Sequence, residues 1–488
     1  MKASAKKLAM KKLFTILLSS SFLMISCKKD FIESAPISSA SVEAVYKTDK
    51  DFQDAVLGIY SVLRNQYQDF WIFGDLRADD SWHALGNDAF LVSVNTFSMN
   101  SSSSLMINSW RNYYSVINRA NLILSKIAEA DPAIVKNKDR HIAEAKFLRA
   151  FAYFDLVRIW GDVPLNTAPI SIAEGYKKGR EKADKIYNEL IIPDLLEAET
   201  KLPVKYTGMD VGRVTKGAAK AILARVYVTI KDFAKAETKS QEVTTMGYAL
   251  LNNYNDLFDY TKEEHHSEYI FDIEYQDGGL GIGSGYSNKF LPKSAGSAAD
   301  LFYGIKGGAG EQNTPTLAFF DAFDANDKRR DVTVAKGYYD NTGVFKGFIQ
   351  IATFTKKYLA ITPAINDSKV NWKVIRYADV LLMYAEALNE NGKTPQAIPY
   401  LNMIRKRAGL SEYTTLTKEE AREKIYNERR FELGMEGVRW FDLVRTGRAL
   451  TVMVPFGMKP HMNVFPIPLI EVQIINDPAI LPQNPGYD

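Results

Sequence analysis

The sequence has only one cysteine and five histidines, and almost no excess of either charge. A single cysteine cannot form an internal disulfide, which excludes a disulfide-stabilised scaffold. The 488 residues include 61 Lys+Arg and 58 Asp+Glu, whereas a nucleic-acid-binding protein usually presents a strongly basic face. We therefore expect no nucleic acid among the partners. After the N-terminal segment no apolar run of 18 residues occurs, so we expect no membrane-spanning helix in the body of the protein.

The common sequence motifs of enzymes are also missing. There is no Walker-type phosphate loop and no Gly-x-Ser-x-Gly nucleophile motif, and the glycine run 278–285 does not lie between a strand and a helix. No histidine belongs to a His-Glu-x-x-His motif, and no further cysteine is present to help bind zinc. We therefore predict no metal site, no cofactor and no catalysis.

One charged segment, residues 427–448, leaves an enzymatic alternative open. Glu428 and Glu432 are one helical turn apart, and two carboxylates can act as the acid and base of a glycosidase. Arginines also surround them, and Arg forms strong forked pairs with carboxylates. We favour the interpretation that this segment is a structural ion-pair network that holds helices together.

The first 26 residues differ in charge from the rest of the chain. They contain five lysines and no acidic residue, and residues 13–25 are mostly apolar. A basic stretch followed by a short apolar stretch and a small residue is typical of a secretory signal. Without this segment 56 basic and 58 acidic residues remain, a formal charge of −2. The basic excess therefore belongs to the predicted signal at 1–26.

Cys27 follows the signal directly. The segment LMISC (23–27) is similar to a bacterial lipoprotein signal, which is cut before the cysteine. We predict that Cys27 is lipidated and that residues 27–40 form a tether, because acyl chains would hold the protein to a membrane. A soluble secreted protein with a cysteine at this position by chance is the alternative.

The body, residues 41–488, has the periodicity of a mainly α-helical protein. In residues 141–158 apolar side chains recur at 142, 145, 148, 152 and 156, which is helical spacing. A helical scaffold is predicted for 41–270 and 371–448, and its further helices are expected at 183–200, 215–246 with a break near 231–232, 372–390, 395–407 and 417–446.

An internal repeat supports this scaffold. Ala224 and Ala236 are 12 positions apart across a predicted turn, and Ala385 and Ala397 have the same spacing. The pattern is similar to the tetratricopeptide repeat, in which small side chains let two helices of a hairpin approach closely. We predict helical hairpins of this kind.

Residues 271–370 have a different composition. Ten of the 30 glycines lie between 278 and 310, and residues 271–275 and 347–351 alternate like short strands. We predict a loop-rich insertion with small pieces of sheet. Residues 449–488 are expected to form an extended tail, because prolines recur along its second half.

Six separate stretches, in order along the chain, carry a family resemblance: RHIAEAKFLRAFAYFDLVRIWGDVPL (140–165), TKGAAKAILARVYV (215–228), IRYADVLLMYAEALNENGKTPQAIPYLNMIRKRAGL (375–410), IYNERRFELGMEGVRWFDLVRTGR (425–448), FPIPLIEV (465–472) and LPQNPGY (481–487). Together they resemble the SusD/RagB family of surface lipoproteins from Bacteroidetes-type bacteria. The resemblance implies tetratricopeptide-like helical pairs that carry a more irregular ligand-binding half.

The resemblance also implies a function. Proteins of this kind capture a nutrient, usually an oligosaccharide, at the outer surface and pass it to a SusC-like TonB-dependent transporter in the outer membrane. Lipid anchoring to the outer membrane, facing the cell exterior, is implied as well. Two alternatives from other classes remain: a helical-repeat adaptor that binds only protein, and a surface glycoside hydrolase that uses Glu428 and Glu432.

A sugar ring has apolar faces and a polar edge, so its binding site needs an exposed aromatic side chain beside hydrogen-bonding groups. Two stretches, 71–90 and 275–303, combine aromatic and polar residues in this way. The segment GDLRADD (74–80) resembles a structural segment of the family, which implies that Arg77 pairs with an aspartate. The predicted ligand-binding residues are Trp82, Asp80, Asn87, Tyr275, Tyr286 and Tyr303.

Overall fold

The computed structural model of the chain describes residues 46–84, 86–262, 264–292, 304–339, 342–347 and 353–487. The protein is mainly α-helical, as predicted. Within these ranges the α-helices are, in chain order, α1 (Asp49–Tyr67), α2 (Ala89–Asn95), α3 (Ser104–Glu129), α4 (Lys138–Trp160), α5 (Ile172–Gly175), α6 (Ala183–Ile186), α7 (Ile192–Lys201), α8 (Lys216–Thr229), α9 (Phe233–Thr244), α10 (Tyr286–Phe290), α11 (Leu317–Ala322), α12 (Arg330–Thr333), α13 (Tyr377–Glu390), α14 (Thr394–Ala408), α15 (Lys418–Glu432), α16 (Arg439–Arg445), α17 (Ala449–Met453) and α18 (Leu469–Ile475).

Shorter elements complete this part of the chain. Two π-helical turns occupy Ile72–Leu76 and Tyr187–Ile191, and 3-10 turns occupy Gly208–Asp210, Tyr254–Leu257, Val454–Phe456 and Pro460–Asn463. The described strands are β1 (Ser81–Trp82), β2 (Val163–Pro164), β3 (Arg180–Glu181), β4 (Tyr269–Ile273), β5 (Thr314–Pro315), β6 (Gly337–Tyr339), β7 (Phe345–Gly347) and β8 (Trp372–Arg376). They form antiparallel pairs, β1 with β5, β2 with β3, β4 with β8 and β6 with β7.

The first helix shows how the sequence sets an element boundary. The Thr48 hydroxyl accepts a hydrogen bond from the backbone N–H of Asp51, and the Asp51 carboxylate accepts one from the backbone N–H of Thr48 at 2.8 Å. This reciprocal capping box satisfies N–H groups that have no partner within the helix. From there α1 buries Phe52, Val56 and Ile59 at helical spacing against the core.

The predicted helical hairpins are present. Helices α3 and α4, α8 and α9, and α13 and α14 pack as consecutive pairs. The paired alanines of the repeat, Ala224 with Ala236 and Ala385 with Ala397, are all buried. Small side chains at these positions let the helix backbones approach closely, so the repeat pattern correctly indicated these two hairpins.

Two predicted helices differ from the structure. Residues 372–376 form strand β8 rather than the start of a helix, because they pair with β4. The helix predicted at 417–446 stops at Glu432 and resumes at Arg439. A turn separates α15 from α16 since Met435 and Gly437 have φ angles of 66° and 73°, which a right-handed helix does not allow.

The C-terminal segment 449–488 is not simply extended. Its described part contains α17, two 3-10 turns and α18. The prediction of an extended tail was wrong for these elements. Pro455 and Pro460 stand within the first two positions of the two 3-10 turns, where a missing N–H costs nothing, so they do not prevent helical structure there.

One large hydrophobic cluster joins the two halves of the protein. It extends from Phe52 in α1 to Leu481 near the C-terminus, and it includes Tyr286, Phe290 and Tyr358 of the loop-rich half. The loops of that half are therefore supported by the same core as the helices. In the described ranges, no helix combines the length and the apolar character that crossing a membrane requires.

Candidate functional site

Of the predicted ligand-binding residues, Trp82 presents an exposed aromatic ring. Trp82 is the second residue of β1 and lies opposite Thr314 of β5. Side chains alternate between the two faces of a strand, so Ser81 points inward, where its hydroxyl donates to Asn313 Oδ1 at 2.5 Å. Trp82 points outward and is 41% exposed. The strand pair thus presents an aromatic ring to solvent on a fixed backbone.

Asn87 lies five residues further along the chain and is also exposed. Its Oδ1 is 3.0 Å from Nε2 of the buried His83, whose Nδ1 is 3.3 Å from the carbonyl oxygen of Glu311. The same carbonyl accepts the backbone N–H of Ala84 at 3.1 Å. Among the described residues the amide nitrogen of Asn87 has no hydrogen-bond partner, so this exposed amide can donate to a ligand.

The structure corrects the prediction for Asp80. Its carboxylate accepts two hydrogen bonds of 2.9 Å from Nε of Arg430 in α15, and its residue is almost fully buried. The adjacent Asp79 binds Arg439 of α16 in the same forked manner, at 2.7 and 2.8 Å. Burial alone would raise the pKa of Asp79, but these arginines hold it below its usual range. Asp80 therefore fixes the segment before β1 to α15, and its buried, paired carboxylate is not available to a ligand.

Arg77 has a different role from the one predicted. It pairs with no aspartate of the described residues, and its guanidinium stacks 3.8 Å from the ring centre of Phe97 and 4.8 Å from that of Phe465. Its nitrogens donate to the carbonyl oxygens of Val94 and Met462. Burial lowers the pKa of Arg77 to about 10. The residue is structural, as expected, but through cation–π contacts.

The tyrosines predicted from the second stretch lie inside the protein. Tyr286 has no exposed surface, and its hydroxyl donates to the carbonyl oxygen of Tyr67 at 2.6 Å. Tyr275 is also buried, and its hydroxyl lies 2.9 Å from the carbonyl oxygen of Arg64 and 3.0 Å from the Tyr286 hydroxyl. Neither ring can contact a ligand without rearrangement of the core, so both assignments are corrected to a structural role. Tyr303 and Cys27 lie outside the described residues.

Two buried polar residues, Asn288 and Asp367, hold the loops of the segment 271–370 together. Asn288 donates to the carbonyl oxygens of Lys306 and Gly308 at 2.7 and 2.9 Å, and it accepts the backbone N–H of Asn366 at 2.8 Å. Asp367 accepts the backbone N–H groups of the glycine-rich loop at Gly278 and Gly279, at 3.0 and 2.9 Å. The loops are thus fixed to one another by side-chain hydrogen bonds.

These fixed loops expose apolar side chains that the sequence analysis did not identify. Ile361, Ile365 and Leu280 are each more than half exposed. Ile361 and Ile365 flank Thr362, whose backbone N–H donates to the carbonyl oxygen of Gly304 at 3.2 Å. Single apolar residues in a segment without periodicity carry no sequence signal, so only the structure reveals them as exposed.

The two glutamates of the enzymatic alternative are fully engaged. Glu432 accepts from Arg376 at 2.5 Å and from Arg329 at 3.1 Å, and it also pairs with Arg407. Glu428 lies 2.7 Å from Arg329 and 3.1 Å from Arg405. Burial would raise the pKa of Glu432, but its three arginines outweigh this effect and hold the pKa below its usual range. The predicted ion-pair network is therefore present.

The described residues contain no group of three His, Cys, Asp or Glu side chains placed to hold a metal ion. A cleft of about 340 Å³ lies between α3 and α18, lined among others by Trp110, Tyr114, Tyr176 and Ile474. It shares no residue with the region around Trp82.

Two models of known protein families match the chain. A model described as the SusD family matches residues 341–484, and one described as starch-binding, associating with the outer membrane, matches residues 30–228. Together they cover most of the chain, including Trp82 and the hairpins α3–α4 and α13–α14, whereas α9 lies between the two matched ranges. The chain belongs to the SusD/RagB family. The resemblance carried by the six sequence stretches is thereby confirmed.

Individual members of the SusD/RagB family are similar over most of the chain. The SusD-like protein P25 of Formosa agariphila is 28% identical, with 96% of this chain and 98% of that protein aligned. The starch-binding protein SusD of Bacteroides thetaiotaomicron is 26% identical over 71% of this chain and 73% of its own.

Solved SusD-like structures share the fold. A laminarin binding SusD-like protein has a TM-score of 0.78 and 27% identity, covering 90% of this chain and 100% of that one. The surface glycan-binding protein A of Bacteroides thetaiotaomicron in complex with laminarihexaose has a TM-score of 0.76 and the same coverage. At 24% identity the second likeness is evidence for the fold alone.

Proposed function

We propose that this SusD/RagB protein binds an oligosaccharide at the bacterial surface and delivers it to a SusC-like TonB-dependent transporter. The observation that carries the proposal is the placement of Trp82, a half-exposed indole on a fixed strand pair. An aromatic face packs against the C–H face of a sugar ring, and loops on a rigid scaffold are where binding residues usually lie.

The polar partner for such a ring is Asn87. Its amide nitrogen is free to donate among the described residues, while His83 fixes its oxygen at 3.0 Å. A sugar hydroxyl can accept from this amide, which is exposed five residues after Trp82. The related laminarin binding and starch-binding proteins have names that describe glycan ligands, which supports a glycan as the ligand class here.

The cellular location is part of the same proposal. Acylation of Cys27 would anchor the protein in the outer membrane, with the body facing the cell exterior. Supporting observations are the signal-like segment 1–26 and the outer-membrane association in the description of one matching family model. A nearly neutral body suits an uncharged ligand, since long-range charge then neither attracts nor repels it.

The proposed function does not include catalysis. The carboxylates Glu428 and Glu432 are buried and paired with arginines, so neither is free to exchange a proton with a substrate. A binding protein should retain every oligosaccharide intact.

The test is a glycan array probed with residues 28–488, followed by calorimetry on each positive glycan and chromatography of the glycan after prolonged incubation. We expect saturable binding without any shortening of the chain. Hydrolysis of every bound oligosaccharide would refute the proposal, as would the absence of binding to any glycan. Co-purification of the lipidated protein with a transporter barrel from membranes tests the partner separately.

A further inference from the structure

A short loop between α7 and α8 exposes several apolar side chains together. Met209 at its tip is fully exposed, and Val204 and Val211 are 56% and 40% exposed. Gly208 and Gly212 have φ angles of 61° and 96°, in the left-handed region that favours glycine, and they let the chain turn sharply on either side of Met209. Clustered exposed apolar residues commonly mark an interaction surface.

This loop lies close to the start of α1, near residue 46, where the described residues begin. Asp210 is ion-paired with Arg140 in the first turn of α4 at 3.3 Å. On the same turn the backbone N–H of Asn137 donates to Asp49 Oδ1 at 2.8 Å, and Nε2 of His141 is 3.3 Å from that oxygen. Because Asp49 is the first residue of α1, the start of α1 and the Met209 loop are neighbours.

The same end of the molecule has unpaired positive charge. Lys47, Lys136 and Lys205 are exposed, and none has a carboxylate within ion-pair distance among the described residues. Ile134, which is more than half exposed, lies two residues before Lys136 in the turn that precedes α4. The acidic side chains here are engaged in hydrogen bonds or ion pairs: Asp49, Asp51, Glu129, Asp131, Asp139 and Asp210.

We propose that this surface, formed by residues 46–50, 131–138 and 203–213 and called here the anchor end, rests on an anionic lipid surface with Met209 inserted among the headgroups. Apolar side chains flanked by lysines are the combination that binds such interfaces. The free lysines around the apolar tip favour anionic headgroups as the partner, because they attract negative charge. An apolar contact with another protein would not require them.

The inference rests on the proposed lipid anchor at Cys27. Cys27 and Tyr46 are 19 positions apart, a distance that an extended chain spans in at most about 65 Å. A tether of this length keeps the anchor end at a high local concentration near the bilayer. Weak contacts from one methionine and three lysines then suffice to orient the body, and they give an untethered protein a weak but measurable affinity for the same surface.

The test uses residues 28–488 without acylation, so that it depends on the anchor end alone. Co-sedimentation is measured with vesicles of phosphatidylethanolamine and phosphatidylglycerol, and with vesicles of phosphatidylcholine only. We expect binding to the anionic vesicles that weakens at high salt. Met209→Asp should lower the partition constant about 10-fold, because a carboxylate replaces the inserted side chain. Leu280→Asp is the matched control, an equally non-conservative change at an exposed leucine on the glycine-rich loop.

Three results would overturn the inference. They are absence of binding to the anionic vesicles, equal binding of Met209→Asp and the unaltered chain, and an equal loss caused by Leu280→Asp. Loss of transporter co-purification by Met209→Asp with unchanged vesicle binding would also overturn it, in favour of a protein partner. Acyl incorporation at Cys27 in cells and glycan binding are assayed separately, so a failure of the proposed function is distinguishable from a failure of the anchor end.

Discussion

Gly74 and Gly437 touch through their backbones. A Cβ atom built on Gly74 would lie 2.1 Å from the carbonyl oxygen of Gly437, which is far inside van der Waals contact. Gly74 belongs to the π-helical turn Ile72–Leu76, and Gly437 to the turn between α15 and α16. Asp75 strengthens this junction by accepting the backbone N–H of Gly437 at 2.8 Å. The segment before Trp82 is thereby fixed to the C-terminal helices.

Gly74→Ala should therefore destabilise the protein. The added methyl group must push two backbone segments apart, and overpacking of this kind costs about 1–3 kcal/mol. Urea denaturation followed by circular dichroism measures the loss. Gly175→Ala is the control, since the nearest atom to its new Cβ lies 3.8 Å away. Equal stability of Gly74→Ala and the unaltered chain would contradict the close contact.

Glu432→Gln tests the buried ion-pair network. Removing this carboxylate leaves Arg376, Arg407 and Arg329 without their shared partner in a buried site. Breaking a buried pair from one side costs about 3–5 kcal/mol. The free energy of unfolding is the quantity to measure.

The control for Glu432→Gln is Asp54→Asn, which breaks an exposed pair. Asp54 and Lys50 are 2.6 Å apart, but both side chains are more than half exposed, and such pairs contribute little. We expect no measurable change in stability from Asp54→Asn. A Glu432→Gln protein as stable as this control would show that the network is dispensable.

The helical scaffold could be predicted because its signals are local. The apolar periodicity in α4 and the alanine pairs of the repeat depend only on residues within one hairpin. Strand β8 could not be predicted, since its apolar residues are compatible with a helix and only pairing with β4 makes them a strand. The break after α15 likewise depends on the contact of Gly437 with distant Gly74.

The candidate site was predicted less well, and burial is the reason. Trp82 and Tyr286 stand in similar sequence contexts. Each has aromatic and polar residues nearby, together with glycine or aspartate. The structure exposes the first and buries the second, through a hydrogen bond from Tyr286 to Tyr67, 219 positions away. Composition identifies residues that suit a sugar, but only long-range packing decides which of them reach the surface.

Asp75 predicts a specific pH dependence of stability. Burial raises its pKa to about 7, although Asn313 and the Gly437 N–H partly oppose this by hydrogen bonding. The folded state therefore takes up a proton at a higher pH than the unfolded chain does. From this group stability rises as pH falls from about 8 toward 4, by at most about 1.4 kcal/mol per pH unit.

Asp75→Asn removes that contribution. The free energy of unfolding of both proteins is measured at several pH values between about 8 and 5. As the pH falls, the unaltered chain should gain stability relative to Asp75→Asn. Asp272, whose pKa is raised to about 6 by burial, is common to both proteins and cancels in the comparison. A difference that is constant over this pH range would contradict the assignment.

Tyr286→Phe separates a structural role from a ligand contact. The substitution removes the hydroxyl that donates to the carbonyl oxygen of Tyr67, and an unsatisfied buried acceptor costs about 1–3 kcal/mol. We expect a lower melting temperature and unchanged affinity for the glycan identified on the array, as measured by calorimetry well below the transition. A large loss of affinity with unchanged stability would restore Tyr286 as a ligand-binding residue.

Trp82→Ala should abolish most of the glycan binding and leave the fold intact. The side chain is 41% exposed and points away from the core, so its removal creates no buried cavity. Loss of one aromatic surface under a sugar ring should weaken binding by at least about 10-fold, which corresponds to about 1.4 kcal/mol. Tyr176→Ala is the matched control, because Tyr176 is similarly exposed but lines the separate cleft near α18. Equal affinity of both variants would mean that the ligand is bound elsewhere on the protein.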